Sequence, residues 1–210
     1  MEPGILDYIS SHITPEDPLL EDLYRQTCLR FVNPNMVSGH LQGKILEMIS
    51  RMISPTYILE IGTFTGYSAI CLAKGLREGG KLFTIEINDE LSDFSKDYFR
   101  KAGLSEAIEL INGKAQDVIP TFNLLFDLVY IDGDKREYCE YFRLVKEKVR
   151  QGGFIIADNV LWGGKALQED ARDRHTKGIK EFNEMVRREA GIENVILPVR
   201  DGIMIIRKTS

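Results

Sequence analysis

The fold is decided by residues 57–68, which read YILEIGTFTGYS. An apolar run of strand character ends in a glycine-containing turn, and an amphipathic segment follows it. Similar short runs recur along the chain, with longer amphipathic segments between most of them. The runs lie at 57–61, 82–87, 108–111, 127–131 and 154–157, and the segments at about 66–78, 89–102 and 136–150. Strands that alternate with helices predict βαβ units and a parallel sheet.

The end of the chain departs from this alternation. After a predicted helix at about 170–190 come two further strands, at 194–199 and 202–207. Only Arg200, Asp201 and the flanking Gly202 separate them, and a connection that short cannot hold a crossover helix. These two strands must therefore be antiparallel.

The start of the chain reads as helical up to about residue 54. We therefore predict a single α/β domain over 1–210, with an N-terminal helical cap at 1–54 and a Rossmann-like core at 55–210. The core is expected to hold a seven-stranded, mostly parallel sheet with one antiparallel terminal hairpin strand and helices on both faces.

Composition narrows the class of protein. The 210 residues carry 27 Lys and Arg against 32 Asp and Glu, which gives a formal net charge of −5. No apolar run approaches the roughly 18–20 residues of a membrane span, and the N-terminus has no apolar signal-peptide core. Three isolated cysteines support neither a zinc ribbon nor a disulfide framework. We expect a cytoplasmic protein with no membrane partner.

The glycine-rich turn has the pattern E-x-G-x-x-x-G, from Glu60 through Gly62 to Gly66. Glu60 stands where a dinucleotide-binding turn has its first glycine, and a carboxylate there suits a cation better than a pyrophosphate. Glu86 ends the second predicted strand, where it can accept hydrogen bonds from ribose hydroxyls. An adenosyl ligand with a cationic tail, such as S-adenosylmethionine, fits this pattern. The structural alternative is a glycine turn beside two surface acids.

A second group of acids follows the fourth and fifth predicted strands. Asp132, Asp134 and Lys135 follow one strand, and Asp158 and Asn159 follow the other. Carboxylate and amide oxygens match Mg²⁺, whereas the lack of His and Cys disfavours zinc. Adjacent strand residues point to opposite faces, so Asp158 and Asn159 can share a metal only if the strand has already turned there. The alternative is that these acids cap loops and helices.

Lys135 is a candidate general base. A lysine near a divalent cation and a sulfonium would have its pKa lowered by like charge, and it could then accept a proton at neutral pH. The alternative is an exposed lysine at a helix start.

These residues resemble those of the cation-dependent O-methyltransferases, the family that includes the caffeoyl-CoA and catechol O-methyltransferases. The resemblance covers about residues 58–203. The matching segments are ILEIGTFTGYSAICLAKGL at 58–76, TIEIN at 84–88, GKAQDVIP at 113–120, DLVYIDGDKREY at 127–138, IIADNVLWGG at 155–164 and LPVRDGI at 197–203.

The resemblance implies a role for each site residue. Those expected to contact S-adenosylmethionine are Met36, Val37, Glu60, Gly62, Thr63, Ser68, Glu86, Ala115, Asp132 and Asp134. Those expected to hold Mg²⁺, or another divalent cation such as Ca²⁺ or Mn²⁺, are Asp132, Asp158 and Asn159. Lys135 is implied as the catalytic base, with Asp132 beside it. Trp162 is implied at the mouth of the acceptor pocket, and a core anchor is its alternative.

The implied activity is metal-dependent methyl transfer from S-adenosylmethionine to a hydroxyl of a catechol-like or other vicinal-diol-like small acceptor. Gly163 and Arg200 depart from the plant-type pattern, which argues against a caffeoyl-CoA acceptor. Relatives also suggest a homodimer. Two alternatives stay open: a tRNA hydroxyuridine O-methyltransferase and a nicotinamide-dependent oxidoreductase. The tRNA alternative would use the basic side chains of Arg172, Arg174, Lys177, Lys180, Arg187 and Arg188.

Overall fold

A computed structural model describes residues 3–168, 170 and 173–210. The helices are α1 (Pro3–His12), α2 (Pro18–Arg30), α3 (Gly39–Ile53), α4 (Tyr67–Ala73), α5 (Ser92–Lys101), α6 (Ala115–Val118), α7 (Tyr138–Lys148) and α8 (Arg174–Arg188). The strands are β1 (Tyr57–Ile61), β2 (Lys81–Glu86), β3 (Ile108–Asn112), β4 (Phe126–Ile131), β5 (Val149–Ala157), β6 (Ile192–Leu197) and β7 (Ile203–Lys208). In the described part of the chain, no helix is long and apolar enough to cross a membrane.

The strands form one seven-stranded sheet in the order β3-β2-β1-β4-β5-β7-β6. Strands β1 to β5 pair in parallel, and β7 runs antiparallel to both β5 and β6. The predicted fold is therefore confirmed, including the reversed strand in the terminal hairpin. The two-residue turn at Arg200 and Asp201 makes that reversal obligatory.

Strand β5 is longer than predicted. It starts at Val149, directly after α7, whereas the apolar run in the sequence begins only at Phe154. Gly152 has a φ of +76°, and a Cβ at Gly153 would lie 2.7 Å from Val149 Cγ1. The pairing with β4 is irregular at the same place, between Phe126 and Leu128. Because these glycines interrupt the apolar run, the first half of the strand has no hydrophobic pattern by which it could be predicted.

The predicted helix at about 170–190 begins partly outside the described residues. The structure has it as α8, which starts at Arg174. Asp173 caps this helix, since its Oδ1 accepts a hydrogen bond from Thr176 N at 2.9 Å. The segment predicted at 66–78 is shorter, because α4 ends at Ala73.

Both faces of the central strands β1 and β4 are buried, as the nearly continuous apolar runs predict, whereas the edge strand β6 is largely exposed. Ile131 packs with Phe142 of α7 and Phe182 of α8 in one core cluster. Its strand neighbour Tyr130 belongs to the other cluster, with Leu46 of α3 and the side chains of α4. Adjacent strand residues thus serve opposite layers.

The strand register fixes where the functional side chains emerge. Ile61 lies opposite Ile85 of β2 and Ile131 of β4, and Ile131 lies opposite Ala157 of β5. The residues that follow these positions therefore leave the sheet at the same edge, which is where α/β sheets bind ligands. Those residues are Gly62, Glu86, Asp132 and Asp158.

Candidate active site

A cavity of about 890 Å³ opens at this edge of the sheet. The N-terminal segment 32–38 closes one side, and most of the remaining wall comes from the segments that follow β1 to β5. The structure brings almost all of the predicted site residues onto its wall. These are Met36, Val37, Gly62, Thr63, Ser68, Glu86, Ala115, Asp132, Asp134, Lys135, Asp158, Asn159 and Trp162.

The glycine turn after β1 is held tightly against β4. Gly62 has a φ of +98°, and a Cβ at this position would lie 2.2 Å from the carbonyl oxygen of Asp132. Gly66, at the start of α4, has a φ of +88°, and a Cβ at this position would lie 2.5 Å from Cε1 of the Phe99 ring. Both positions therefore need glycine for space and for backbone conformation.

Glu86 braces the same turn from β2. Its Oε2 accepts a hydrogen bond from Phe64 N at 2.8 Å, and its Oε1 accepts one from Asn88 N at 2.9 Å. The carboxylate is nearly buried but still reaches the cavity wall. Each oxygen has accepting capacity left, so hydrogen bonds to a ligand hydroxyl are compatible with these contacts.

Glu60 is not on the cavity wall. Its side chain is fully buried, because Glu60 still belongs to the regular part of β1 and the pleat directs it into the layer beneath the turn. Its Oε2 accepts a hydrogen bond from Thr84 Oγ1 at 2.6 Å, and Thr84 Oγ1 in turn accepts one from Thr63 Oγ1 at 2.5 Å. Among the described residues, Oε1 has no hydrogen-bond partner.

The environment of Glu60 changes its charge. Burial raises the pKa of its carboxyl group from 4.5 to about 8, and the Asp132 and Glu86 carboxylates act in the same direction, against the hydrogen bond from Thr84. The sequence suggests an exposed carboxylate that faces a cation directly. The structure instead has a buried acid whose link to the wall runs through Thr84 and Thr63.

The backbone turns where the predicted metal ligands require it. Strand β5 ends at Ala157, and Asn159 has a φ of +56°, in the left-handed region that Asn tolerates better than most residues. Asp158 and Asn159 can therefore both reach the cavity wall. Burial, and then the nearby Asp132 carboxylate, raise the pKa of Asp158 to about 6.

The donor chemistry here fits a hard divalent cation. In the part of the chain that the structure describes, no group of three or more His, Cys, Asp or Glu side chains is gathered. The set at this wall is instead two carboxylates and one amide, Asp132, Asp158 and Asn159. Two carboxylates and an amide oxygen on one wall are compatible with a cation between them, and the remaining positions suit water or substrate oxygen.

Lys135 is held by an anionic and a phenolic neighbour. Its Nζ is nearly buried and donates hydrogen bonds to Asp132 Oδ1 at 2.7 Å and to the Tyr138 hydroxyl at 2.9 Å. Burial would lower the pKa of Lys135, but Asp132 and Tyr138 outweigh burial and raise it. The predicted lowering concerns a protein with a divalent cation and a sulfonium beside Lys135, and it stays a prediction.

Two polar residues at the site were missed in the sequence. Gln42 of α3 donates from Nε2 to Asp158 Oδ2 at 2.6 Å, and the Tyr138 hydroxyl donates to the Asp158 carbonyl at 3.1 Å. Gln42 lies one turn from Leu46 on the buried side of α3. Gln42 is a polar residue on the apolar face of a predicted helix, and this pattern could have identified it from the sequence.

Trp162 lies between the core and the cavity, and its predicted place beside an acceptor stays a prediction. Its ring packs against the core and also lines the cavity. It stacks on His175 with ring centroids 6.1 Å apart, and its Nε1 has no partner within the described residues. The neighbouring Gly163 has open space where a side chain would be.

His40 has a structural role. Its Nε2 forms a hydrogen bond with the Thr14 carbonyl at 2.8 Å.

Part of the basic stretch is already engaged by groups of the protein itself. Arg187 and Arg188 both pair with Glu184, and Lys180 donates to the Gln168 carbonyl at 2.5 Å. Arg172 lies outside the described residues.

Comparison with known proteins agrees with this geometry. The model of the O-methyltransferase family matches residues 9–209. A catechol O-methyltransferase from Niastella koreensis is 34% identical over 170 residues, which cover 79% of this chain and 74% of that protein. Caffeoyl-CoA O-methyltransferase 2 from Populus trichocarpa is 29% identical over 212 residues, 95% of this chain and 86% of that protein.

Solved structures are similar over nearly the whole chain. The O-methyltransferase TomG from Streptomyces achromogenes, in complex with SAM, matches with a TM-score of 0.92 and 30% identity, covering 99% of this chain and 96% of that one. An O-methyltransferase from Bacillus cereus in complex with SAH matches with a TM-score of 0.88 and 29% identity, covering 98% and 97%. With its sheet order, its glycine turn and these matches, the chain belongs to the S-adenosylmethionine-dependent O-methyltransferase family.

Proposed function

We propose that this protein transfers a methyl group from S-adenosylmethionine to one hydroxyl of a catechol-like or other vicinal-diol-like small acceptor, with the help of a divalent cation. The observation that carries this proposal is the position of Asp132, Asp158 and Asn159. They lie on one wall of the cavity that the glycine turn enters from β1. A cofactor on the turn and a chelated acceptor at the acids would therefore share one space.

The cofactor would lie along the glycine turn. Gly62, Thr63, Ser68 and Ala115 are proposed to contact it, with Glu86 accepting from its ribose hydroxyls. Asp132 and Asp134 are proposed to lie beside it, and Met36 and Val37 to cover it from the N-terminal segment. Glu60 is proposed to act from beneath, because its hydrogen-bond chain ends at Thr63 on the wall. Residues 1–54 would then form a cap on the core at 55–210.

The proposed cation would be held by Asp132, Asp158 and Asn159, with Mg²⁺ favoured and Ca²⁺ or Mn²⁺ as alternatives. When bound, the cofactor supplies an activated methyl group, and the cation lowers the pKa of a hydroxyl that coordinates it. The chain itself supplies positioning, which contributes up to roughly 7–11 kcal/mol in favourable cases.

Lys135 is proposed as the catalytic base. Its Nζ faces the cavity from a position fixed by Asp132 and Tyr138. Asp132 and Tyr138 raise the pKa of Lys135 in the protein without ligands, so its amine must first lose a proton to solvent before it can accept one from the acceptor. Asp132 is therefore proposed to act in catalysis as well, because it decides how strongly Lys135 holds that proton.

Trp162 is proposed to contact the aromatic ring of the acceptor. It lines the cavity, and its stacking on His175 extends a flat wall toward solvent. A homodimer and a cytoplasmic location stay predictions from the sequence.

A methyl-transfer screen tests the proposal. Catechols, hydroxycinnamoyl thioesters and undermodified tRNA would each be offered with S-adenosylmethionine, with and without Mg²⁺. We expect Mg²⁺-dependent methylation of a catechol-type acceptor. Methylation of the tRNA alone would favour the RNA alternative, and equal turnover without any divalent cation would contradict the proposed metal site.

A further inference from the structure

The side chain of Gln42 bridges separate parts of the active site. It is 2% exposed, on the first turn of α3. Its Nε2 donates to Asp158 Oδ2 at 2.6 Å and to the Tyr130 hydroxyl at 2.9 Å. Its Oε1 accepts from Arg200 Nη1 at 2.8 Å. A guanidinium can only donate and a carboxylate can only accept, so these partners fix the orientation of the amide.

The Asp158 carboxylate depends on this bridge for its orientation. Its Oδ2 accepts from Gln42 at 2.6 Å and from Tyr130 at 3.3 Å, whereas its Oδ1 accepts from Asn159 N at 2.8 Å. Gln42 makes the shortest of these contacts and reaches the carboxylate from another element of the fold. Without Gln42, a buried acid would lose its principal donor and gain freedom to rotate.

Arg200 ties the same bridge to two further segments. It occupies the turn between β6 and β7 with a φ of +49°, and it lines the cavity. The same Nη1 that reaches Gln42 also donates to the carbonyl of Ser38, the last residue of the segment that closes the cavity. One hydrogen-bonded chain therefore runs from the terminal hairpin through α3 to a proposed metal ligand.

We propose that Gln42, oriented by Arg200, is a positioning residue that holds the Asp158 carboxylate in the geometry for divalent-cation binding. The inference rests on the proposed function, because it assumes a cation at Asp158. Groups that orient metal ligands commonly change metal affinity by about 10- to 100-fold when they are removed. A purely structural role would change stability and leave cation affinity unaltered.

Mn²⁺ titration, followed by electron paramagnetic resonance of the free ion, tests the inference without any acceptor. Gln42→Met keeps the length of the side chain and removes its donors. We expect it to raise the Mn²⁺ Kd by about 10- to 100-fold. Gln42→Glu can still accept from Arg200 but cannot donate to Asp158 when ionised, so it should not restore the affinity. An Mn²⁺ Kd for Gln42→Met equal to that of the unmodified protein overturns the inference.

Ser50→Ala is the matched control. Ser50 is also buried on α3, and its Oγ donates to the Leu72 carbonyl at 2.6 Å, away from the cavity. The Ser50→Ala variant loses a buried hydrogen bond made by the same helix. Its melting temperature should therefore be lower, and its Mn²⁺ Kd should be unchanged. A comparable loss of Mn²⁺ affinity in Ser50→Ala would assign the effect to the helix as a whole and overturn the role of Gln42.

Arg200→Gly tests the hydrogen bond from Arg200 to Gln42. It also keeps the inference testable if Gln42→Met does not fold. Arg200 is exposed and its positive φ suits glycine, so the backbone should tolerate the change. We expect the Mn²⁺ Kd to rise by about three- to tenfold, the effect of one hydrogen bond. An unchanged Kd overturns the link to Arg200. An unmodified protein that binds no Mn²⁺ contradicts the proposed metal site first, and the inference with it.

Discussion

Lys135 Nζ lies 2.7 Å from Asp132 Oδ1, so the proposed base and a proposed metal ligand form an ion pair. The pair raises the pKa of Lys135, although burial alone would lower it. Lys135 is therefore charged in the protein without ligands. Like charge can lower the pKa of Lys135 only when another cation takes its place as the partner of Asp132.

Replacing Lys135 should separate catalysis from cofactor binding. We expect Lys135→Met to lower kcat by about 10²- to 10⁴-fold, the usual contribution of a positioned general base. The Kd for S-adenosylmethionine should stay within about twofold, because the glycine turn is untouched. Trp162 is the only tryptophan and lines the cavity, so its fluorescence can report this binding.

Lys148→Met is the control for Lys135. Lys148 ends α7 and donates to the Phe122 carbonyl at 2.6 Å, outside the cavity. Its replacement should leave kcat unchanged. If Lys135→Met also kept full activity, Lys135 would have no role in proton transfer.

Removal of divalent cations should abolish turnover reversibly. We expect EDTA to stop methyl transfer and excess Mg²⁺ to restore it, since the two acids and the amide match hard-cation chemistry. Asp158→Asn should reduce turnover in the presence of Mg²⁺ because it removes one of the two charges. Asp97→Asn, on the exposed side of α5, is the matched control and should behave as the unmodified protein does. Undiminished activity in EDTA would remove the metal from the mechanism.

Gly62→Ala should both destabilise the protein and disturb the site. The new Cβ would lie 2.2 Å from the Asp132 carbonyl oxygen, at a backbone φ of +98°. Strain at such a φ alone costs about 1–3 kcal/mol, and the clash adds to it by displacing Asp132. Urea unfolding would measure the free-energy loss, and Mn²⁺ titration would measure the effect on the metal site.

Gly79→Ala isolates the contribution of the backbone. Gly79 has a φ of +73°, with no atom near an added Cβ. It should lose stability through strain alone and keep its Mn²⁺ affinity. If Gly62→Ala and Gly79→Ala lowered the free energy of unfolding equally, the close approach of the turn after β1 to Asp132 would make no contribution to stability.

The fold was predictable because its signals are local. Apolar runs such as 127–131 mark buried strands, and the two-residue turn at Arg200 and Asp201 leaves no alternative to an antiparallel hairpin. Strand β5 was only half predicted, because Gly152 and Gly153 interrupt its apolar pattern. Asp158 and Asn159 can share a metal only if the backbone turns after β5, and the φ of +56° at Asn159 provides that turn.

The site was predictable where it follows strand ends and unpredictable where distant segments meet. Asp132 and Asp158 each follow a strand, so the sheet brings them to one edge. Gln42 is 116 positions from Asp158 along the chain, and only the packing of α3 on the sheet brings them together. The pKa directions of Glu60 and Lys135 depend on burial and on particular partners, which a pattern of residue types does not contain.

Glu60 should make the stability of the protein depend on pH. Its carboxyl has a pKa of about 8 in the folded protein against an ordinary value of 4.5. Between these values the folded state holds a proton that the unfolded state has released, so rising pH favours unfolding. The effect is absent below the ordinary pKa and grows by up to about 1.4 kcal/mol per pH unit until the folded pKa is passed.

Glu60→Gln should remove this dependence. An amide can still accept from Thr84 Oγ1 through its oxygen, and it carries no titratable proton. The free energy of unfolding of Glu60→Gln, minus that of the unmodified protein, should therefore increase steadily from pH 5 to pH 8 in urea titrations. Glu109→Gln, at an exposed position on the adjacent part of the sheet, should give a constant difference. A constant difference for Glu60→Gln as well would mean that Glu60 is already ionised in the folded protein, and that its burial is offset by partners other than Thr84.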